Sequence, residues 1–167
     1  MKKAALALAF IALVIGGLTL WGFMNAQLEI KVESVQALPA EVFQAEYERL
    51  VPLIQTNAAR GLVYDPNLSG NAGDYVILQY TLLVRNRGLV KAEMLEAQVV
   101  PVKGDVLCYS QQEAMGQDVN LSFEVPPGRE TRYRCYLLTR KDLHAVRDLH
   151  VSYYIWGNAI FLMVKYG

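Results

Sequence analysis

The polarity pattern divides the chain into an apolar leader and a body of short alternating segments. No charged residue occurs from Ala4 to Met24, and about 20 apolar residues are what an α-helix needs to cross a hydrocarbon core roughly 30 Å thick. Lys2 and Lys3 precede the run, so the positive-inside bias predicts a cytoplasmic amino terminus and a body on the far side of the membrane. Trp21 and Phe23 fall where an interfacial aromatic belt would lie. A cleaved signal peptide is the alternative, but its apolar region would run only about 7–15 residues before a small-x-small site. The longer run, and the poor fit of Met24 two residues before Ala26, argue for an uncleaved signal anchor over residues 1–26. Either way, residues 27–167 form an exported domain. With no cysteine near the run, a lipid-modified lipoprotein is excluded.

The body reads as strands. Leu28, Ile30 and Val32 alternate with Glu29, Lys31 and Glu33 as in a half-buried strand, and Val35 falls out of phase, which predicts a bulge. Between Asp74 and Asn86, Val76, Leu78, Tyr80, Leu82 and Val84 share one face while Ile77 and Leu83 make the other apolar, so this strand belongs inside a sheet. Asn86-Arg87-Gly88 turns the chain, and Leu95, Ala97 and Val99 mark a strand that Pro101 ends or confines to an edge. Residues 102–118 read as polar and irregular. Val119, Leu121, Phe123 and Val125 alternate cleanly, Pro126-Pro127-Gly128 turns, and Tyr133, Cys135 and Leu137 then point to the core opposite Arg132, Arg134 and Tyr136.

One segment departs from this pattern. Over about 40–59, Phe43, Tyr47, Leu50, Val51 and Ile54 recur at helical spacing. Pro52 is costly inside a helix, so two short helices are expected, the second starting at Pro52. Residues 61–73 read as a turn-rich loop. Seven or so short strands with this helical insertion predict a mainly β, immunoglobulin-like antiparallel β-sandwich behind one transmembrane helix. The stretch Tyr75 to Gly88, ending Val84-Arg85-Asn86-Arg87-Gly88, resembles the strand and N-x-G turn of bacterial immunoglobulin-like modules of the CARDB type. Val125-Pro126-Pro127-Gly128 resembles the P-G turn those modules place before their next strand, and the likeness covers roughly residues 74–166. It implies an extracytoplasmic adhesion or assembly role without catalysis. The chain departs from that family in its single module, its helical insertion and its two cysteines.

The terminal hairpin is the sharpest local feature. Trp156-Gly157-Asn158-Ala159 predicts a type II′ turn with Ile155 opposite Ile160, Tyr153 opposite Leu162 and Val151 opposite Val164. The second face then carries Tyr154, Trp156, Phe161 and Met163, an apolar patch that needs a cover. A partner protein or membrane surface is one candidate. The Phe43/Tyr47/Leu50/Ile54 stripe is the other, and its matching size argues for this internal cover.

Composition adds little to this picture. The chain has 16 basic and 16 acidic residues, and setting aside Lys2 and Lys3 leaves a net of −2, which gives no case for nucleic acid. The basic stretch Arg129, Arg132, Arg134, Arg140 and Lys141 reads as a solvated strand face. Cys108 and Cys135 are the only cysteines, and in an oxidising compartment they are expected to form one disulfide, worth roughly 3.5 kcal/mol on the chain-entropy estimate. His144 and His150, with Asp142 and Asp148, lack metal-ligand spacing and read as surface residues. No nucleophile elbow or phosphate-binding glycine loop occurs. The expectation is therefore a non-enzyme without cofactor: a membrane-anchored module that binds a protein partner of the cell envelope through Tyr154, Trp156, Phe161 and Met163. A small-ligand or glycan receptor is the alternative.

Overall fold

The computed structural model describes residues 2–24, 28–68, 71–114 and 123–166. Helix α1 (Lys2–Met24) is followed by β1 (Leu28–Ala37), α2 (Ala40–Gln55), β2 (Leu62–Val63), a short 3-10 turn, β3 (Tyr75–Asn86) and β4 (Glu93–Val99). Then come β5 (Asp105–Ser110), α3 (Gln111–Ala114), β6 (Glu130–Arg140), β7 (Leu149–Ile155) and β8 (Asn158–Val164). Five strands form one antiparallel sheet in the order β1-β3-β6-β5-β2, and three form a second, β4-β7-β8. The chain folds as the expected mainly β sandwich. Within α1, the stretch Lys3–Gly22 has a mean hydropathy of 2.3, long and apolar enough to cross a membrane.

Apolar alternation explains the sandwich interior. Leu82, Val84, Cys135 and Leu137 of the larger sheet meet Leu95, Ala97, Val151, Tyr153 and Ile155 of the smaller. The bulge foreseen near Val35 occurs between Val32 and Ser34, which restores Val35 to the inner phase. Strand β3 lies between β1 and β6, as its two apolar faces require. Asn86 at its end is fully buried: its Nδ2 donates to the Val90 and Val125 carbonyls at 2.7 and 2.8 Å, and its Oδ1 accepts the Gly88 amide at 2.9 Å. That side chain ties the loop after β3 to the segment at Val125, and a buried amide of this kind is stable because all of these hydrogen bonds are made.

Several expectations are corrected. Residues 40–55 form one helix that runs through Pro52 rather than two. The proline lies in the last turn, where the Pro52 carbonyl accepts the Thr56 amide at 3.0 Å. The helix continues because its stripe is anchored on both sides of Pro52: Leu50 and Ile54 are each 2 % exposed. Burial worth about 1.5–3 kcal/mol per side chain outweighs a proline cost of about 3 kcal/mol. This stripe does not cover the hairpin patch. It packs on Tyr75, Ile77, Leu107, Tyr109 and Leu138, on the outer face of the five-stranded sheet, with the Tyr47 and Tyr75 rings 5.7 Å apart.

Residues 102–118 are not wholly irregular, for they contain β5, whose Asp105 to Tyr109 are all buried. Both faces are covered, so no alternation marks the strand. Within the loop foreseen over 61–73, Leu62 and Val63 pair with Cys108 and Leu107. Of the strand foreseen at 119–125, residues 119–122 lie outside the described residues; Val125 bridges Ala92, and the Phe123 carbonyl accepts the Leu95 amide at 3.1 Å. The basic stretch is solvent-exposed, and Arg132 pairs with Glu33 at 2.6 Å.

The expected disulfide is absent: Cys108 and Cys135 are both free and buried. Cys108 faces Leu137 and Cys135 faces Ser110, so the two are diagonal neighbours on one face of β5 and β6. Diagonal residues in such a pair sit about 7–8 Å apart, beyond the Cα separation of most disulfides. The thiols associate instead. The Cys108 sulfur accepts the Val99 amide at 3.4 Å and the Cys135 S–H. That hydrogen bond, with burial second, pushes the Cys135 thiol well above its ordinary range.

Candidate functional site

The outer face of the β4-β7-β8 sheet is where exposed apolar side chains collect outside α1. The hairpin sets it up. Ile155 pairs with Asn158, Tyr153 with Ile160, Val151 with Leu162 and Leu149 with Val164, a register two residues away from the expected one. The loop is Trp156-Gly157, with φ of 49° and 76°. Positive φ at both positions is the type I′ geometry, in place of type II′. Because the shift is even, every residue keeps its face. The inner and outer sets read from the sequence are therefore right, although the cross-strand partners are not.

Ser152 faces Phe161, His150 faces Met163 and Tyr154 faces Ala159. Phe161 is 77 % exposed, Met163 58 %, Trp156 53 % and Tyr154 36 %. Tyr154, Phe161 and Met163 share one surface, whereas Trp156 stands at the hairpin tip. Met94 joins them, a residue the sequence reading passed over. An extra residue between Glu93 and Glu96 bulges β4, and Met94 takes a φ of 52°. A bulge re-aims the side chain it carries. Since Leu95, Ala97 and Val99 set the inner phase, Met94 could have been assigned outward. A groove of about 600 Å³ runs across this face, lined by Met94, Glu96, Gln98, His150, Tyr154, Phe161 and Met163 among others. Its β8 side is apolar, and its floor toward β4 is polar.

The strand edges differ in protection. Edge strand β1 carries Glu29, Lys31 and Glu33, and edge strand β4 carries Glu93 and Glu96. β8 is also an edge strand, yet its seven residues, Asn158 to Val164, include no charge. An uncharged edge presents unpaired backbone donors and acceptors to another strand, and native proteins normally blunt such edges with charge. An open cleft of about 810 Å³ separates β8 from β1, lined by Leu28, Ile30, Val32, Leu162 and Val164 among others.

His144 and His150 are exposed, and among the described residues no three His, Cys, Asp or Glu side chains group as metal ligands. No protein-family model matches the chain, and no curated protein does. Among solved structures, the crystal structure of a FixG-related protein from Vibrio parahaemolyticus aligns with 83 % of this chain and 92 % of its own, at 15 % identity and a TM-score of 0.38. A similarity of that size carries no inference about function.

Proposed function

We propose that the chain is a membrane-anchored, immunoglobulin-like module on the outer side of the cell envelope that binds a partner protein at the β8 edge. The observation that carries this reading is the uncharged edge strand β8, whose own Phe161 and Met163 side chains are exposed. The occupant is an extended apolar segment of the partner, adding a strand to β8 and covering Phe161 and Met163. Main-chain hydrogen bonds supply affinity in this mode, and the alternate side chains supply specificity. The resemblance to CARDB-type modules fits an accessory or assembly subunit, and no group on this face suggests catalysis.

Amide hydrogen exchange on the full chain tests the reading. The β8 amides that face the open edge, not those bonded to β7, should exchange quickly in the purified protein and slowly in the partner complex, while those of interior β6 stay unchanged. Unaltered β8 exchange in a stable complex would overturn strand addition. A second reading, a glycan or small-ligand receptor, is supported by Gln98, His150 and Ser152 beside Tyr154 in the groove. It predicts a change in Tyr154 environment on adding sugar, without slowing of β8.

A further inference from the structure

The two ends of the sandwich are not equivalent. Three residues separate Met24, the last of α1, from Leu28, the first of β1. Even fully extended, that link spans no more than about 14 Å. The end of the sandwich where β1 begins is therefore tied close to the end of the apolar helix. The Leu28 amide donates to the Tyr153 hydroxyl at 3.2 Å, which places the tip of the β7-β8 hairpin at this same end. Leu28 also lies opposite Asn86 in the β1-β3 ladder, so the loop that follows Asn86 is there too.

Each of these two loops carries a large apolar side chain outward. Trp156 is 53 % exposed and Leu89 63 %. The Trp156 ring also reaches α1: a Cβ built on Gly22 would lie 3.6 Å from its Cη2 atom. Gly22 is the last residue of the apolar stretch Lys3–Gly22. A helix rises 1.5 Å per residue, so this contact lies about 3 Å below the end of α1. At that height a membrane helix passes through the headgroup region, where tryptophan is enriched because its ring has an apolar body and one polar N–H.

We propose that this end of the sandwich rests in the headgroup region of the bilayer that α1 crosses, with Trp156 and Leu89 as its apolar contacts. The proposal rests on α1 being a retained membrane anchor. The cations flanking Leu89 are already held by carboxylates: Arg87 by Glu29 at 2.7 Å, and Lys91 by Glu93 and Glu124 at 2.7 and 2.9 Å. The contact is thus with the interface itself rather than with anionic headgroups. It fixes the tilt of the domain and holds the β8 edge beside the membrane, within reach of a partner that is itself membrane-bound.

The chain holds two tryptophans, so each can be read alone in the full-length protein. The Trp21→Phe variant, reconstituted in phosphatidylcholine vesicles with brominated acyl chains, reports Trp156. The Trp156→Phe variant reports Trp21 and so tests the anchor separately. Brominated lipid should remove most of the Trp156 emission and soluble acrylamide little, with no change on adding phosphatidylglycerol. A Leu89→Trp reporter lacking both native tryptophans should behave alike. Trp156 quenched by acrylamide but not by lipid, with Trp21 quenched by lipid, would overturn the contact and leave the anchor standing. If neither tryptophan is quenched by lipid, the anchor reading fails and takes the proposal with it.

Discussion

Asp105 on β5 and Arg147, in the segment before β7, form an ion pair inside the protein, with side chains 0 % and 1 % exposed. The Arg147 guanidinium donates to both carboxylate oxygens at 2.8–3.1 Å, to the Thr139 hydroxyl at 3.2 Å and to the Ala145 carbonyl at 2.8 Å. Asp105 also accepts the Val102 amide at 2.8 Å. The pair joins the segment before β7 to the larger sheet at the end away from α1. Removing one partner strands a buried charge, so Asp105→Ala or Arg147→Ala should each lower the unfolding free energy by about 3–5 kcal/mol. Replacing both by apolar side chains of similar volume should restore most of it. Urea unfolding followed by circular dichroism checks this, and near-additive losses in the double variant would argue against a shared pair.

Tyr80 lies beside this pair. Burial pushes its hydroxyl up from 10.0 to about 12, with Arg147 pulling the other way. Tyr133 and Tyr109 are raised as well, chiefly by burial. A folded-state value above the unfolded one means folding favours the neutral phenol. The stability this gives is complete below about pH 10 and is lost as pH rises through about 12. Urea midpoints should hold level at neutral pH and fall across that alkaline window, and Tyr80→Phe should flatten the fall. A decline already under way near neutral pH would contradict this origin.

With the Cys108 and Cys135 thiols free, reducing agent should leave the melting temperature of the purified chain unchanged. A thiol reagent should modify neither residue in the folded protein and both after unfolding. A drop of several degrees on reduction would instead reveal a covalent link.

Trp156 is held in a left-handed backbone conformation, with a φ of 49°, that favours glycine or asparagine. Trp156→Asn should therefore stabilise the domain by about 1 kcal/mol. Thermal melts read this gain, and in vesicles the same variant should show weaker contact between the domain and the lipid. A loss of stability would mean that the contact of the ring with α1 at Gly22 outweighs the relief of backbone strain.

The sequence made the sandwich legible wherever a strand has one wet face. β1, β6 and β7 announce themselves because Lys31, Arg132 and His150 alternate with buried or half-buried neighbours. β5 stayed hidden because the run from Val106 to Tyr109 is covered on both sides and offers no alternation. The exposed set Tyr154, Phe161 and Met163 was readable because the period of two survives an even register error. What covers it was not, since an amphipathic helix declares that it has a buried face without naming the sheet it meets. The Asp105–Arg147 pair was equally invisible, because a charge in a polar stretch reads as solvated until the fold closes around it.

Site-specific photo-crosslinking in intact membranes tests binding at the β8 edge most directly. A crosslinker placed at Met163 should capture one defined protein partner, and Phe161→Lys, which puts a charge on that edge, should abolish the adduct. A crosslinker at Arg134, on the opposite sheet, should capture none. Capture from Arg134 but not Met163, or an adduct at Met163 that persists in the Phe161→Lys variant, would contradict β8 as the binding edge.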